Sequence, residues 1–186
     1  MLQIIVPARE ADELWDEEKQ EFIQVPAKKE HVLQLEHSLI SLSRWESKWH
    51  KPFHSNKEKT TEEVIDYIRC MTLNKNVDPE VYERIGDTNL KLITDYIYDP
   101  MTATTITEDK SSRRNGEIIT SELIYYWMIS QHIPVEFEKW HLNRLITLIK
   151  VCAIKNAPPK KRSRRETMSR NAALNAARRK QLNTKG

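Results

Sequence analysis

The sequence predicts a mainly α fold, a helical bundle with a small N-terminal β-hairpin and a basic, partly disordered C-terminal tail. Apolar residues recur at helical spacing through most of residues 29–156. Only three of the 186 residues are glycine, which disfavours turn-rich β folds and glycine loops that bind phosphate. Lys and Arg concentrate near the C-terminus. We therefore predict three parts, which are residues 1–28, 29–156 and 157–186.

The N-terminal part contains two short apolar runs, LQIIV at residues 2–6 and FIQV at residues 22–25. Both are typical of strands, and we expect them to form a hairpin with a long acidic loop. A two-stranded ribbon is only marginally stable alone, so it should pack on the helices or pair with another chain. Trp15 lies in the acidic loop. We expect it to anchor the loop onto the core, and an exposed contact is the alternative.

A helix is predicted over residues 30–49, because its apolar residues fall on one stripe. The stripe contains Val32, Leu35, Leu39, Leu42, Trp45 and Trp49. Trp45 and Trp49 are four residues apart and should lie side by side. We interpret this pair as core packing, and stacking on nucleic-acid bases is the alternative.

Three further helices are predicted before residue 100. Thr60 and Glu63 have the spacing of a capping box, so a helix should begin there and end near residue 73. Asp78 followed by proline predicts a short helix to about residue 85. A third helix should follow Asp87 or Thr88.

Residues 117–156 are the most apolar part of the chain and predict two helices that meet at Pro134. So much apolar surface predicts that the first helix is buried on more than one side, with one set of residues at helical spacing and a second set round the side. The first set is Ile119, Leu123, Tyr126, Trp127 and Ile133, and the second is Ile124 and Met128. The pair is expected to form the core. The functional alternative is a partner-binding groove near Trp127, Phe137 and Trp140.

The net charge of +3 conceals an asymmetry. Residues 155–186 contain eleven Lys and Arg and one acid, so they carry +10, whereas residues 1–154 carry −7. This pattern indicates an electrostatic partner, self-association, or nucleic acid bound through the tail. The candidate tail residues are Lys160, Lys161, Arg162, Arg164, Arg165, Arg178, Arg179 and Lys180.

No catalytic motif is found in the sequence, so we expect a protein that is not an enzyme and that needs no cofactor or metal. His141 is interpreted as a core histidine with one hydrogen bond. His50 and His54 are separated by a proline and lack further ligands, which argues against a zinc site. No apolar run approaches the ~20 residues that span a bilayer, so no membrane partner is expected and a cytoplasmic location follows.

Five segments carry a resemblance to a known class of proteins. They are SLSRWESKWHKPF, EEVIDYIRCMTL, ELIYYWMIS, KWHLNRLITLIKV and MSRNAALNAARRKQLNTKG. Together, over about residues 39–186, they resemble proteins encoded in the tail modules of long-tailed bacteriophages, and the nearest class is the tail assembly chaperones. The shared patterns concern packing rather than chemistry.

The resemblance implies a small N-terminal β element, a helical body and a non-enzymatic role in the host cytoplasm. Proteins of this class bind the tape measure protein, keep it soluble and recruit major tail protein while the tail tube polymerises. The long basic tail departs from that pattern. It supports an alternative, a nucleic-acid-binding protein or a minor structural virion protein that acts through the tail.

Overall fold

Helices account for most of the described chain, which confirms the mainly α prediction. This computed structural model describes residues 1–17, 20–55, 58–106, 118–158 and 164–184. The strands are β1 (Leu2–Val6), β2 (Asp12–Asp16), β3 (Glu21–Val25) and β4 (His31–Leu35). The helices are α1 (Leu39–Trp49), α2 (Thr61–Met71), α3 (Glu80–Glu83), α4 (Asp87–Tyr98), α5 (Ser121–Ser130), α6 (Leu142–Asn156) and α7 (Arg164–Leu182). A 3₁₀ segment, Val135–Lys139, precedes α6. Residues 1–153 and 154–186 form two compact units.

The four strands follow one continuous antiparallel register. β1 pairs with β4, β2 pairs with β3, and a bridge from Arg9 to Lys28 lies between the two pairs. The predicted N-terminal β element is confirmed, but its pairing is not the predicted one. β1 pairs with residues 31–35 rather than with residues 22–25, and the expected acidic loop contains β2.

Residues 31–35 form a strand, so the prediction of a helix from residue 30 was wrong. Leu33 and Leu35 are fully buried, whereas Val32 between them is 43% exposed. This alternation has the period of a strand. The helix begins only at Leu39, where Ser38 and Ser41 form a reciprocal capping box.

The first half of the ribbon is fixed to the body by polar contacts. The Arg84 guanidinium donates to the Pro7 carbonyl oxygen at 2.6 Å, and the Asn89 amide donates to the Ile5 carbonyl oxygen at 2.9 Å. The Leu73 N–H donates to the Gln34 carbonyl oxygen at 2.8 Å, which covers the outer edge of β4. β1 and β4 are therefore part of the core structure.

One apolar cluster joins this half of the ribbon to α1, α2, α3 and α4. Its buried members are Ile4, Val6, Leu33, Leu35, Trp45, Tyr67, Ile68, Met71, Val81, Tyr82, Ile93 and Tyr96. Trp45 stacks on Trp49 with ring centroids 6.2 Å apart and donates from its indole nitrogen to the Glu63 carbonyl oxygen. The interpretation of this tryptophan pair as core packing is confirmed.

A second apolar cluster joins α1, α5 and α6 through Leu39, Leu42, Ile124, Met128, Leu142, Leu145 and Ile149. The predicted turn at Pro134 is present, but the next continuous helix begins at Leu142. Between them lie the 3₁₀ segment and an extended residue, Trp140. The prediction of a single helix that begins at Pro134 was therefore wrong, because the continuous helix begins only at Leu142.

Residues 154–186 contain α7, a helix of 19 residues. The partial disorder predicted for this tail is not confirmed. Lys160, Lys161 and Arg162 lie outside the described residues. Within the described ranges, no helix combines the length and apolar character that crossing a membrane requires.

Candidate partner-binding surfaces

Phe137 and Trp140 form an aromatic stack at the connection between α5 and α6. Their ring centroids are 4.2 Å apart and the planes differ by 16°. The Arg144 guanidinium lies over the Trp140 ring at 4.1 Å, which is within cation–π range. Both predicted aromatic residues are half-buried, so the stack presents an edge of mixed apolar and cationic character. The sequence analysis did not select Arg144, although it lies four residues after Trp140.

Trp127, the third predicted partner-binding residue, is half-buried against the second cluster with Phe137. The exposed apolar residues of α5 are instead Tyr126 and Ile129, at 64% and 74% exposure. We call Tyr126 and Ile129 the apolar strip. Tyr126 was predicted to face inward, and that prediction was wrong because Ile124 and Met128 are the buried pair.

Two hydrogen bonds hold this region in place. The Tyr125 hydroxyl donates to the Glu138 carboxylate at 2.8 Å, and this bond together with burial raises the pKa of Tyr125 to about 12. The Ser121 N–H donates to the Glu46 carboxylate at 2.7 Å. The first residue and the middle of α5 are therefore tied to neighbouring segments, so the apolar strip is presented on a fixed element.

The charged surface predicted for the tail lies partly on α7. Arg164 and Arg165 begin this helix, and Arg178, Arg179 and Lys180 lie in its last two turns. Every residue of α7 whose exposure is described is exposed. A helix that is exposed on every described side gains little stability from tertiary packing.

Trp15 and Phe22 form an exposed pair that was not predicted as a pair, although an exposed contact was the stated alternative for Trp15. Trp15 is 52% exposed and Phe22 is 64% exposed, so the prediction that Trp15 anchors onto the core was wrong. The two residues lie opposite each other across β2 and β3, and their rings meet edge to face at 4.9 Å. Trp15 and Phe22 can be recognised as a pair only if residues 12–16 are known to pair with residues 21–25. That strand pairing was not predicted from the sequence.

A cavity of about 390 Å³ lies between α2 and α4. Its lining includes His37, Phe53, Tyr67, Ile93, Tyr98 and Asn143. Its polar groups are largely bonded within the protein, since the Asn143 amide donates to the carbonyl oxygens of Ile97 and Asp99. The Lys59 ammonium lies 4.4 Å from the Phe53 ring centroid, and burial lowers its pKa.

His37 and His141 lie beside this cavity as a buried pair with ring centroids 5.2 Å apart. The His37 Nδ1 atom is 2.6 Å from the Tyr67 hydroxyl oxygen. Burial lowers the pKa of His37 to about 3 and raises that of Tyr67, so both are neutral near pH 7. His141 bonds through Nε2 to the Tyr96 carbonyl oxygen at 3.0 Å, as expected for a core histidine. The Nδ1 atom of His141 is buried and has no hydrogen-bond partner among the described residues, and the contacts of the two rings align no nucleophile with a base.

Among the described residues, no group of three His, Cys, Asp or Glu side chains could hold a metal ion. Comparison with models of known protein families, with curated proteins and with solved structures finds no match to this chain.

Proposed function

We propose that this chain is a non-enzymatic assembly chaperone of a bacteriophage tail. In this proposal it binds the tape measure protein and recruits major tail protein in the host cytoplasm. The observation that carries the proposal is the apolar strip of Tyr126 and Ile129, exposed on a fixed helix close in sequence to the Phe137–Trp140 stack. Exposed apolar surface bordered by polar residues is typical of protein-binding sites.

The tape measure protein is a long helical client, and an amphipathic helix suits this surface. Its apolar face would cover Tyr126 and Ile129, which are three residues apart and thus on the same side of α5. An acidic client residue would pair with Arg144, whose guanidinium is already oriented by the Trp140 ring. Binding would bury surface that the free client exposes to water, which accounts for a solubilising effect.

Co-expression with the tape measure protein tests this proposal. The wild-type chain should raise the soluble fraction of the client and co-purify with it. Ile129→Asp should abolish both effects, because it places a charge in the apolar strip. Leu92→Asp is a matched control, since Leu92 is an exposed apolar residue on another helix, α4, at 47% exposure. Equal solubility with and without the chain would refute the proposal.

A second candidate is favoured by α7. Six Arg and Lys residues and one acid give this exposed helix a charge of +5. A nucleic-acid-binding or minor structural virion protein could act through such a helix. Fluorescence anisotropy with duplex DNA should then show affinity that falls steeply with salt. Mass spectrometry of purified virions separates the structural role, because an assembly chaperone is absent from the finished particle.

A further inference from the structure

We propose that the distal half of the β ribbon is a docking arm for helix α7 of a second copy of this chain. We call residues 10–17 and 20–25, which contain β2 and β3, the arm. This contact is distinct from the client surface on α5. It would join copies head to tail, since each copy carries one arm and one α7.

The arm differs from the half of the ribbon that is fixed to the body. Ile4, Val6, Leu33 and Leu35 on the first half are buried, whereas Trp15, Phe22 and Ile23 on the arm are exposed. Isolated two-stranded ribbons are marginally stable in water. A partner that covers Trp15 and Phe22 would bury apolar surface and stabilise the arm.

The charge of the arm specifies a cationic partner. Residues 10–21 contain seven acids and one lysine, a net charge of −6. Alternation along β2 places Glu13 on the same face as Trp15 and Phe22, whereas Glu21, which pairs with Asp16, lies on the opposite face. Glu13 and Glu17 are both exposed, and Glu17 lies in the turn that follows β2. The face with the two aromatic rings therefore also carries the Glu13 carboxylate. Phosphate-bearing partners are disfavoured by the same charge.

Helix α7 has the complementary arrangement. Its central alanines, Ala172, Ala173, Ala176 and Ala177, are flanked by Arg164 and Arg165 on one side and by Arg178, Arg179 and Lys180 on the other. Along the arm, the aromatic pair lies between Glu13 in β2 and Glu17 in the turn that follows β2. Alanines allow the aromatic rings to approach the helix closely. The flanking arginines can pair with the carboxylates and stack on the rings.

The two surfaces also agree in size. Arg9, at the bridge, and Asp16, the last paired residue of β2, are seven residue steps apart, which is about 23 Å at ~3.3 Å per residue. The 19 residues of α7 span about 28 Å at ~1.5 Å per residue. A single α7 can therefore cover the aromatic pair and reach the acids on both sides of it.

Analytical ultracentrifugation of the full chain at low and high salt tests this inference. The wild-type chain should associate at about 0.05 M salt and dissociate at about 0.5 M, because salt screens exposed charges. The arm variant Glu13→Lys/Glu17→Lys/Glu21→Lys and the tail variant Arg178→Glu/Arg179→Glu/Lys180→Glu should each weaken association at least tenfold. Mixing the two variants should restore it, since each supplies the surface that matches the other.

A matched control changes the same charge elsewhere. Glu83→Lys/Asp95→Lys/Glu136→Lys alters three exposed acids outside the arm and should associate like the wild type. Circular dichroism verifies that each variant folds. A wild-type chain that stays monomeric at low salt overturns the inference, whether α7 is free or docks on its own arm. Failure of the mixture to associate, or association that disappears after nuclease treatment, also overturns it.

Discussion

At the scale of single residues, the buried carboxylate of Glu46 joins three segments of the fold. One oxygen accepts from the Phe53 N–H at 2.8 Å, and the other accepts from the Ser121 N–H at 2.7 Å. Ser121 is the first residue of α5, where the helix dipole favours a negative charge. Glu46 therefore positions the helix that carries the apolar strip.

Glu46→Ala should lower the free energy of unfolding by about 3 kcal/mol, because the buried N–H of Ser121 and the partly buried N–H of Phe53 lose a charged acceptor. Glu46→Gln keeps one acceptor oxygen and should lose about half as much. Urea unfolding followed by circular dichroism measures both. Glu83→Ala removes an exposed acid and should change stability by less than about 0.5 kcal/mol. If Glu46→Ala were as stable as the wild type, the two hydrogen bonds to Glu46 would contribute nothing to the free energy of unfolding.

His37 makes the folded state sensitive to acid. Burial lowers its pKa from 6.5 to about 3, so the unfolded chain takes up a proton between these values and the folded chain does not. Stability therefore falls as pH falls through this window, by about 2 kcal/mol between pH 7 and pH 5. Burial also lowers the pKa values of His54 and His141. In urea titrations at both pH values, His37→Asn should therefore remove the His37 contribution to this dependence and leave theirs. His132→Asn, at an exposed histidine, should leave it intact.

At the scale of elements, residues 31–35 show why periodicity alone misassigned the ribbon. Val32, Leu35 and Leu39 fit a helical stripe, yet Leu33 and Leu35 also fit a strand with one buried face. The choice depends on β1, which is about 30 residues distant in sequence and pairs with β4. By contrast, the start of α2 depends on a local contact. The Thr60–Glu63 capping box was predicted correctly, and both of its hydrogen bonds form.

Alanine substitutions at neighbouring positions of β4 distinguish the two assignments. Leu33→Ala should cost about 3 kcal/mol, because Leu33 is fully buried. Val32→Ala should cost less than about 1 kcal/mol, because Val32 faces solvent. A helix over residues 30–49 would give the opposite order. Chemical denaturation of the two variants therefore tests the ribbon directly.

Helix α5 shows a different limit of sequence interpretation. Apolar residues occupy nearly all of its sides, so no single stripe identifies the face that packs inward. Contact with α1 and α6 decides that Ile124 and Met128 are buried and that Tyr126 and Ile129 are exposed. From the sequence, Trp127 was the predicted binding residue on this helix, whereas the exposed apolar residues of the helix are Tyr126 and Ile129.

At the scale of the whole molecule, the acidic body and basic tail were evident from composition alone. Composition did not reveal that the acids near Trp15 lie on a paired arm, because that depends on the register of β2 and β3. The proposed account assigns client binding to the region around α5 and self-association to the arm and α7. Its central claim is that the chain works by binding other macromolecules through exposed surfaces.

Hydrogen–deuterium exchange of the chain with and without the tape measure protein tests this claim most directly. The account predicts slower exchange in residues 121–140, which include the apolar strip and the Phe137–Trp140 stack, when the client is bound. Ile129→Asp should remove that protection, and Leu92→Asp should retain it. Protection confined to the cavity between α2 and α4, or no protection in residues 121–140, would contradict the account.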